Sequence, residues 1–356
     1  MTASNGRREW VDTAKGLGIL LVVYTHVRQG IASAGLAEGA AADLAQAADA
    51  VIFTFRMPLF FLLSGLFFAR TLEKHGPGRL TATKAAALLV PAGVWGAFQG
   101  AAQIAAGAAA NSAPPVSTVL WAPLWPVGQF WFLQSLFLMF AATAAVWTAV
   151  GKNAGRWVAV AAAVAVAVFP PATWLPAGSW LGQAAGTNFL SISSTGEYLI
   201  YFAIGAAAGE PAMRRLVRSR RAVVMAAAAF AAGTVALVRP DAMTDRLPVV
   251  WAMPLAVCGL TAAGGWAAAA ASTRLGRGIS AAGRVSFAIF VLHVIAAAGV
   301  RAVLLKAGVR DFPVHLAAGL VAGVAIPWIA EATLRKVGRG WVLSPPRLPR
   351  PAVAAA

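Results

Sequence analysis

Charge and cysteine are what this 356-residue chain has least of. Asp, Glu, Lys and Arg make up 12% of it, where a soluble domain carries about a quarter. Only 12 residues are acidic against 29 basic ones, for a formal net charge of +17. Cys258 is the one cysteine, which excludes a disulfide framework and a thiolate metal site. The four histidines, His26, His75, His293 and His315, show neither an HExxH pattern nor paired metal-ligand spacing, so no metal centre is expected. Glycine-rich phosphate loops are missing too: Gly276 and Gly278 in LGRGIS match no nucleotide-binding fingerprint. No internal repeat is visible, which counts against a transporter built from inverted halves.

Apolar residues fill the space instead. They make up 60% of the chain, and the mean hydropathy is +0.73. Nearly uncharged windows of about twenty residues recur along the sequence, the length that crosses a bilayer as a helix. We expect an all-α, polytopic membrane protein with ten transmembrane helices, at 14–33, 50–69, 85–107, 128–150, 157–175, 195–210, 222–238, 248–270, 284–300 and 312–334. A single membrane-embedded domain is expected over 1–340, followed by a disordered cytoplasmic tail at 341–356.

The positive charge suits a lipid bilayer better than a nucleic acid. Twenty-two of the 29 Lys and Arg fall in short clusters between apolar segments. If Arg7, Arg8 and Lys15 are cytoplasmic, so are the clusters within 70–84, 152–156, 214–221, 274–284 and 335–350. That partition requires an even number of crossings, with both termini in the cytoplasm of an inner-membrane protein. Arg28, Arg239, Arg246, Arg301, Lys306 and Arg310 fall to the opposite loops, where Trp121, Trp125, Trp174, Trp180 and Trp251 fit an aromatic belt. Arg7, Arg8 and the following apolar stretch imitate a signal peptide, but Glu9 and Asp12 in the leader argue against cleavage.

Against this apolar background a few ionisable residues stand out. His26 lies within GLGILLVVYTHV. Lys15 precedes it by eleven positions, close to three helical turns, so the two share one face roughly 16 Å apart. Asp12 lies within about 40° of the same stripe. Arg56 falls inside the second expected helix. Such groups cost several kcal/mol each in hydrocarbon and mark function by default. A neutral imidazole, with an unperturbed pKa near 6.5, can take a proton from a hydroxyl. Arg56 can stabilise an oxyanion, and Lys15, at the cytoplasmic end, can meet phosphates. Plainer readings stay open. His26 can pack against a backbone carbonyl, Lys15 can snorkel, Asp12 can pair with Lys15 or the helix N-terminus, and Arg56 can sit in a structural ion pair. Ser64-Gly65 reads as close helix packing, and Cys258 as an inert thiol.

Five stretches carry a resemblance when taken together: WVDTAKGLGILLVVYTH at 10–26, FRMPLFFLLSGLFFAR at 55–70, GQFWFLQSLFLMF at 128–140, EYLIYFAIGAAAG at 197–209 and RVSFAIFVLHV at 284–294. Their content, order and spacing resemble the acyltransferase-3 superfamily of integral membrane acyltransferases. The FRMPLFFLLSG form is similar to its fucose 4-O-acetylase-like branch. The resemblance implies transfer of an acyl group, often acetyl from acetyl-CoA on the cytoplasmic side, to a hydroxyl of an extracytoplasmic or lipid-linked glycan. The family signature of a basic residue, ten residues and His maps onto Lys15 and His26. The related branch often has His where this chain has Arg56. The expected site thus has His26 and Arg56 as catalytic groups, Lys15 and Asp12 toward the CoA donor, and Gln129, Trp131, Glu197 and His293 toward the acceptor. The alternative is a transporter or flippase relaying protons through His26, Arg56, Glu197 and His293.

Overall fold

The computed structural model describes residues 5–107, 114–168, 189–237 and 249–344, and these are helical with no strand. In chain order the α-helices are α1 (Asn5–Ser33), α2 (Ala40–Gly65), α3 (Phe68–Lys84), α4 (Val90–Ala106), α5 (Val116–Leu120), α6 (Trp131–Val150), α7 (Lys152–Val168), α8 (Ile192–Arg218), α9 (Arg220–Leu237), α10 (Val249–Ala270), α11 (Arg274–Arg284), α12 (Ser286–Lys306) and α13 (Phe312–Lys336). Among the described residues six helical stretches are long and apolar enough to cross a membrane: Ala40–Gly65, Phe68–Ala106, Gly128–Val150, Ala252–Ala270, Ser286–Lys306 and Phe312–Lys336. The chain is an all-α membrane protein.

A helix occupies each of the ten expected positions, although α7 ends at Val168 and the rest of the 157–175 expectation lies outside the described residues. Notably, α1 is not among the six apolar stretches. Tyr24, Thr25, His26, Arg28 and Gln29 stand among its apolar residues and dilute them. Several segments expected as loops are helical: 70–84 lies in α3, 214–218 in α8, and Arg301 and Lys306 in α12. Arg28 is not in a loop, because α1 runs on to Ser33 and buries it. The 274–284 segment, expected as a cytoplasmic loop, is the helix α11, with the Thr273 hydroxyl accepting the Gly276 N–H at 3.0 Å as its cap. Three glycines lower the helix propensity of that segment, and contact with α1 overrides it.

The described chain divides into two compact units. The first holds α1, α2 and the chain from Tyr198 to Leu343. Within it α1 packs against α2, α10, α11, α12 and α13. Val11, Ala14, Ile19, Val22, Val23, Val27 and Ile31 of α1 are all buried, which accounts for a helix apolar on several sides at once. Glycine sets two of the close approaches. A Cβ at Gly16 would overlap the Ile279 carbonyl, and one at Gly283 the Asp12 carbonyl, so α1 and α11 touch backbone to backbone. Where α2 meets α8, Gly65 and Gly205 stand in the same relation to the Phe202 and Leu62 carbonyls. This is the close packing expected of Ser64-Gly65. The Ser64 hydroxyl itself donates to the Phe60 carbonyl at 2.7 Å.

The second unit comprises the described residues within Phe68–Ala105 and Ala113–Glu197. Gly76, at φ 72, kinks α3, and a π-helical turn at Ala85–Leu89 joins α3 to α4. The Lys84 ammonium sits 3.9 Å above the Phe140 ring of α6. The Gln99 and Gln129 amides bond each other reciprocally, at 3.2 and 2.9 Å. Trp121 is exposed, whereas Trp174 and Trp180 lie outside the described residues. The tail expected from residue 341 begins within a 3₁₀ turn, Gly340–Leu343, whose Leu343 is buried; residues from 345 onward lie outside the described set.

Candidate active site

The first unit gathers ionisable side chains from three helices. His26 comes from α1, Arg56 from α2 and His293 from α12, with Thr25, Arg28 and Asp49 beside them. The two histidines meet directly. His293 Nε2 lies 3.3 Å from His26 Nδ1, and the rings cross edge to face with centroids 4.9 Å apart. Each ring is also anchored to its own helix. His26 Nδ1 is 2.9 Å from the Val22 carbonyl, and His293 Nδ1 is 2.9 Å from both the Ile289 and Phe290 carbonyls.

These contacts assign the tautomers. A carbonyl oxygen only accepts, so Nδ1 carries the hydrogen in both neutral rings. His293 Nε2 is then a lone pair accepting from His26 Nδ1–H, which Val22 shares. His26 Nε2 is left as a basic lone pair, and no protein donor reaches it among the described residues. A base held by one nitrogen and open at the other is the geometry that proton abstraction needs.

Asp49 organises the cationic side. It is fully buried, with one oxygen accepting the Arg28 Nε–H at 2.9 Å and the other accepting the Thr25 hydroxyl. Thr25 and Arg28, three residues apart, share a face of α1. Tyr24 adds a third tie between the two helices, its hydroxyl donating to the Ala45 carbonyl at 2.8 Å. Arg56 lies seven residues after Asp49, two turns along α2, and its Nη1 stands 3.8 Å from Asp49 Oδ1. That is an ion pair without a hydrogen bond. Arg56 is 6% exposed, and neither Nε nor Nη1 has an acceptor among the described residues. Its guanidinium also lies 5.7 Å from the Phe53 ring centroid and within electrostatic reach of His26 and Tyr198. Pro58, two residues on, lacks the N–H that would bond the Thr54 carbonyl, so α2 is weakened next to the arginine.

The other expected residues are distributed as follows. Lys15 and Asp12 are half-buried on α1, with the Asp12 carbonyl against Gly283. Gln129, Trp131 and Glu197 belong to the second unit. Gln129 is buried and engaged by Gln99. Trp131 is half-buried with its ring edge to face against Phe132, and Glu197 is half-buried in α8. Asp49, Thr25 and Tyr198 are site residues that sequence reasoning missed, and Arg28 one that it misplaced. Asp49 did leave a signal: it is a carboxylate at the threshold of an apolar span, two helical turns before an intramembrane arginine. No group of three or more His, Cys, Asp or Glu able to hold a metal ion occurs among the described residues.

The model of the acyltransferase-3 family, described as an acyltransferase domain, matches residues 8–332. That range includes every residue of the cluster. No curated protein and no solved structure matches the chain.

Proposed function

Since the chain belongs to the acyltransferase-3 family, we propose that it is an inner-membrane O-acyltransferase moving an acyl group, acetyl in the first instance, from acyl-CoA to a hydroxyl of a sugar or cell-surface glycan. One observation supports this above the others: His26 is fixed through Nδ1 while Nε2 is open. In this reading Nε2 removes the acceptor hydroxyl proton as the oxygen attacks the thioester carbonyl. The carbon–oxygen bond forms, and the negative charge collects on the former carbonyl oxygen. The unpartnered donors of Arg56 face that charge. Collapse breaks the carbon–sulfur bond, and the imidazolium returns its proton to the departing CoA thiolate. His293 Nε2 accepts the Nδ1–H throughout and favours the imidazolium as it forms.

Lys15 lies about a third of the way along the same helix as His26, eleven residues before it. With Asp12 it marks the cytoplasmic approach, where an ammonium suits the phosphates of CoA. The acceptor comes from the opposite side of the membrane. The FRMPLFFLLSG stretch makes the fucose 4-O-acetylase-like branch the first candidate for the acceptor class.

The test is direct. Detergent-purified protein is given acetyl-CoA and a panel of glycan acceptors, and thiol release is read together with ester formation by mass spectrometry. Wild-type protein should couple the two, and His26→Ala should abolish both while still folding. Undiminished ester formation by His26→Ala would remove the base from this account.

A further inference from the structure

Asp49 is the only carboxylate that the structure pairs with Arg56 among the described residues, yet it makes no hydrogen bond to it. Each of its oxygens already accepts one hydrogen bond. Arg28 Nε holds one at 2.9 Å and the Thr25 hydroxyl holds the other. Both donors come from α1, whereas Arg56 rises from the same helix as Asp49. The result is one carboxylate against two guanidiniums, all three less than a tenth exposed.

A buried arginine ordinarily closes a bidentate fork on its carboxylate, which fixes its position and engages its donors. Arg56 has the charge partner without the fork. Its Nη1 stops at 3.8 Å, and Nη1 and Nε are buried with no acceptor among the described residues. A group in that state is held by Coulomb attraction and keeps its N–H bonds open for an oxygen that arrives later. Arg28 and Thr25 hold Asp49 against α1 in an orientation in which no such fork to Arg56 is closed.

We propose that Asp49 is a positioning residue for acyl transfer: bound to Arg28 and Thr25, it holds Arg56 in place without engaging its donors, which are left for the reacting carbonyl oxygen. This rests on the acyltransferase reading above and adds a residue and a reason for the unusual pairing. The competing role is structural, Asp49 serving only to pin α1 to α2. The two roles separate kinetically. A pin affects how much protein folds, and it acts the same whether or not Arg56 is present. A positioning residue acts through Arg56, so its effect vanishes when Arg56 is gone.

The experiment is a double-mutant cycle on the folded, detergent-purified fraction, with Asp49→Asn, Arg56→Ala, the double variant and Asp49→Glu. Turnover and KM for acetyl-CoA are measured for each, alongside wild type and His26→Ala. The expected pattern is a fall in kcat of about tenfold to a hundredfold for Asp49→Asn at unchanged KM. The same substitution should change kcat by less than about threefold in the Arg56→Ala background, and Asp49→Glu should recover part of the loss. Equal falls in both backgrounds, or an unchanged kcat with only a lower folded yield, would overturn the proposal and leave the acyltransferase reading intact. If wild-type protein releases no thiol and forms no ester above a protein-free control, the acyltransferase reading fails and this proposal fails with it.

Discussion

His293 Nε2 and His26 Nδ1 lie 3.3 Å apart across 267 residues of sequence. In the proposed reaction one imidazole then occupies the place that a carboxylate fills in many acid–base sites, orienting the base through the nitrogen that does not react. A neutral orienting group suits the interior of a membrane protein, where another buried charge would need its own partner.

Replacing His293 tests that arrangement. His293→Ala removes the acceptor for His26 Nδ1–H, although the Val22 carbonyl remains. A hydrogen bond to a group that becomes charged is worth about 1.5–3 kcal/mol, so kcat should fall about tenfold to a hundredfold. His293→Gln, which can present a carbonyl oxygen, should retain more. Steady-state kinetics of the two variants decide the matter, and equal losses would speak against an orienting role.

Arg56 should act on turnover and leave donor binding alone. Loss of one oxyanion donor typically lowers kcat by about 10²–10³. Arg56→Ala is expected to show a fall of that size, with KM for acyl-CoA nearly unchanged. Arg56→Lys keeps the charge but loses the planar set of donors, and should recover only part of the rate. A rise in KM as the main effect would instead place Arg56 in substrate binding.

Lys15 should behave in the opposite way. If it meets the phosphates of the donor, Lys15→Ala raises KM for acyl-CoA and leaves kcat close to wild type. Because that contact is electrostatic, wild-type KM should also rise with salt, and the variant should lose much of this dependence. Initial rates at several ionic strengths provide the check.

The glycine contacts make a prediction about stability. A side chain at Gly65 must displace the Phe202 backbone, so Gly65→Val should cost at least about 1–3 kcal/mol and lower the melting temperature in detergent. Gly78 is a suitable control, because a Cβ there meets nothing within 4 Å. Gly78→Ala should leave the melting temperature unchanged or raise it slightly. Comparable losses for both would mean that the α2–α8 contact is looser than it stands here.

Much of this architecture was legible in the chain. Apolar windows locate the helices, and the spacing of Lys15 and His26 places both on one stripe of α1. His26, Arg56 and His293 were each marked as unusual for lipid surroundings. What the sequence could not supply was which helices meet. Periodicity reports the face of a residue on its own helix, not the neighbour that face will find, so the His26–His293 pair stayed unseen. Asp49 was passed over because it sits one residue outside the expected 50–69 span, and Arg28 because a charge near a span end reads as a loop residue. The α11 helix hides behind its three glycines, of which Gly283 lies against the Asp12 carbonyl of α1.

The polarity of α1 bears on how the protein is made. The residues that tie α1 to α2 and hold the imidazole pair also leave it too polar to count among the membrane-crossing stretches. Such a segment is a poor candidate for entering lipid alone, and it becomes comfortable only when later-synthesised helices close around it. Biogenesis and chemistry then share one event: the ribosome must deliver the α12 region, almost 270 residues later, before the first helix gains both its shelter and its second histidine.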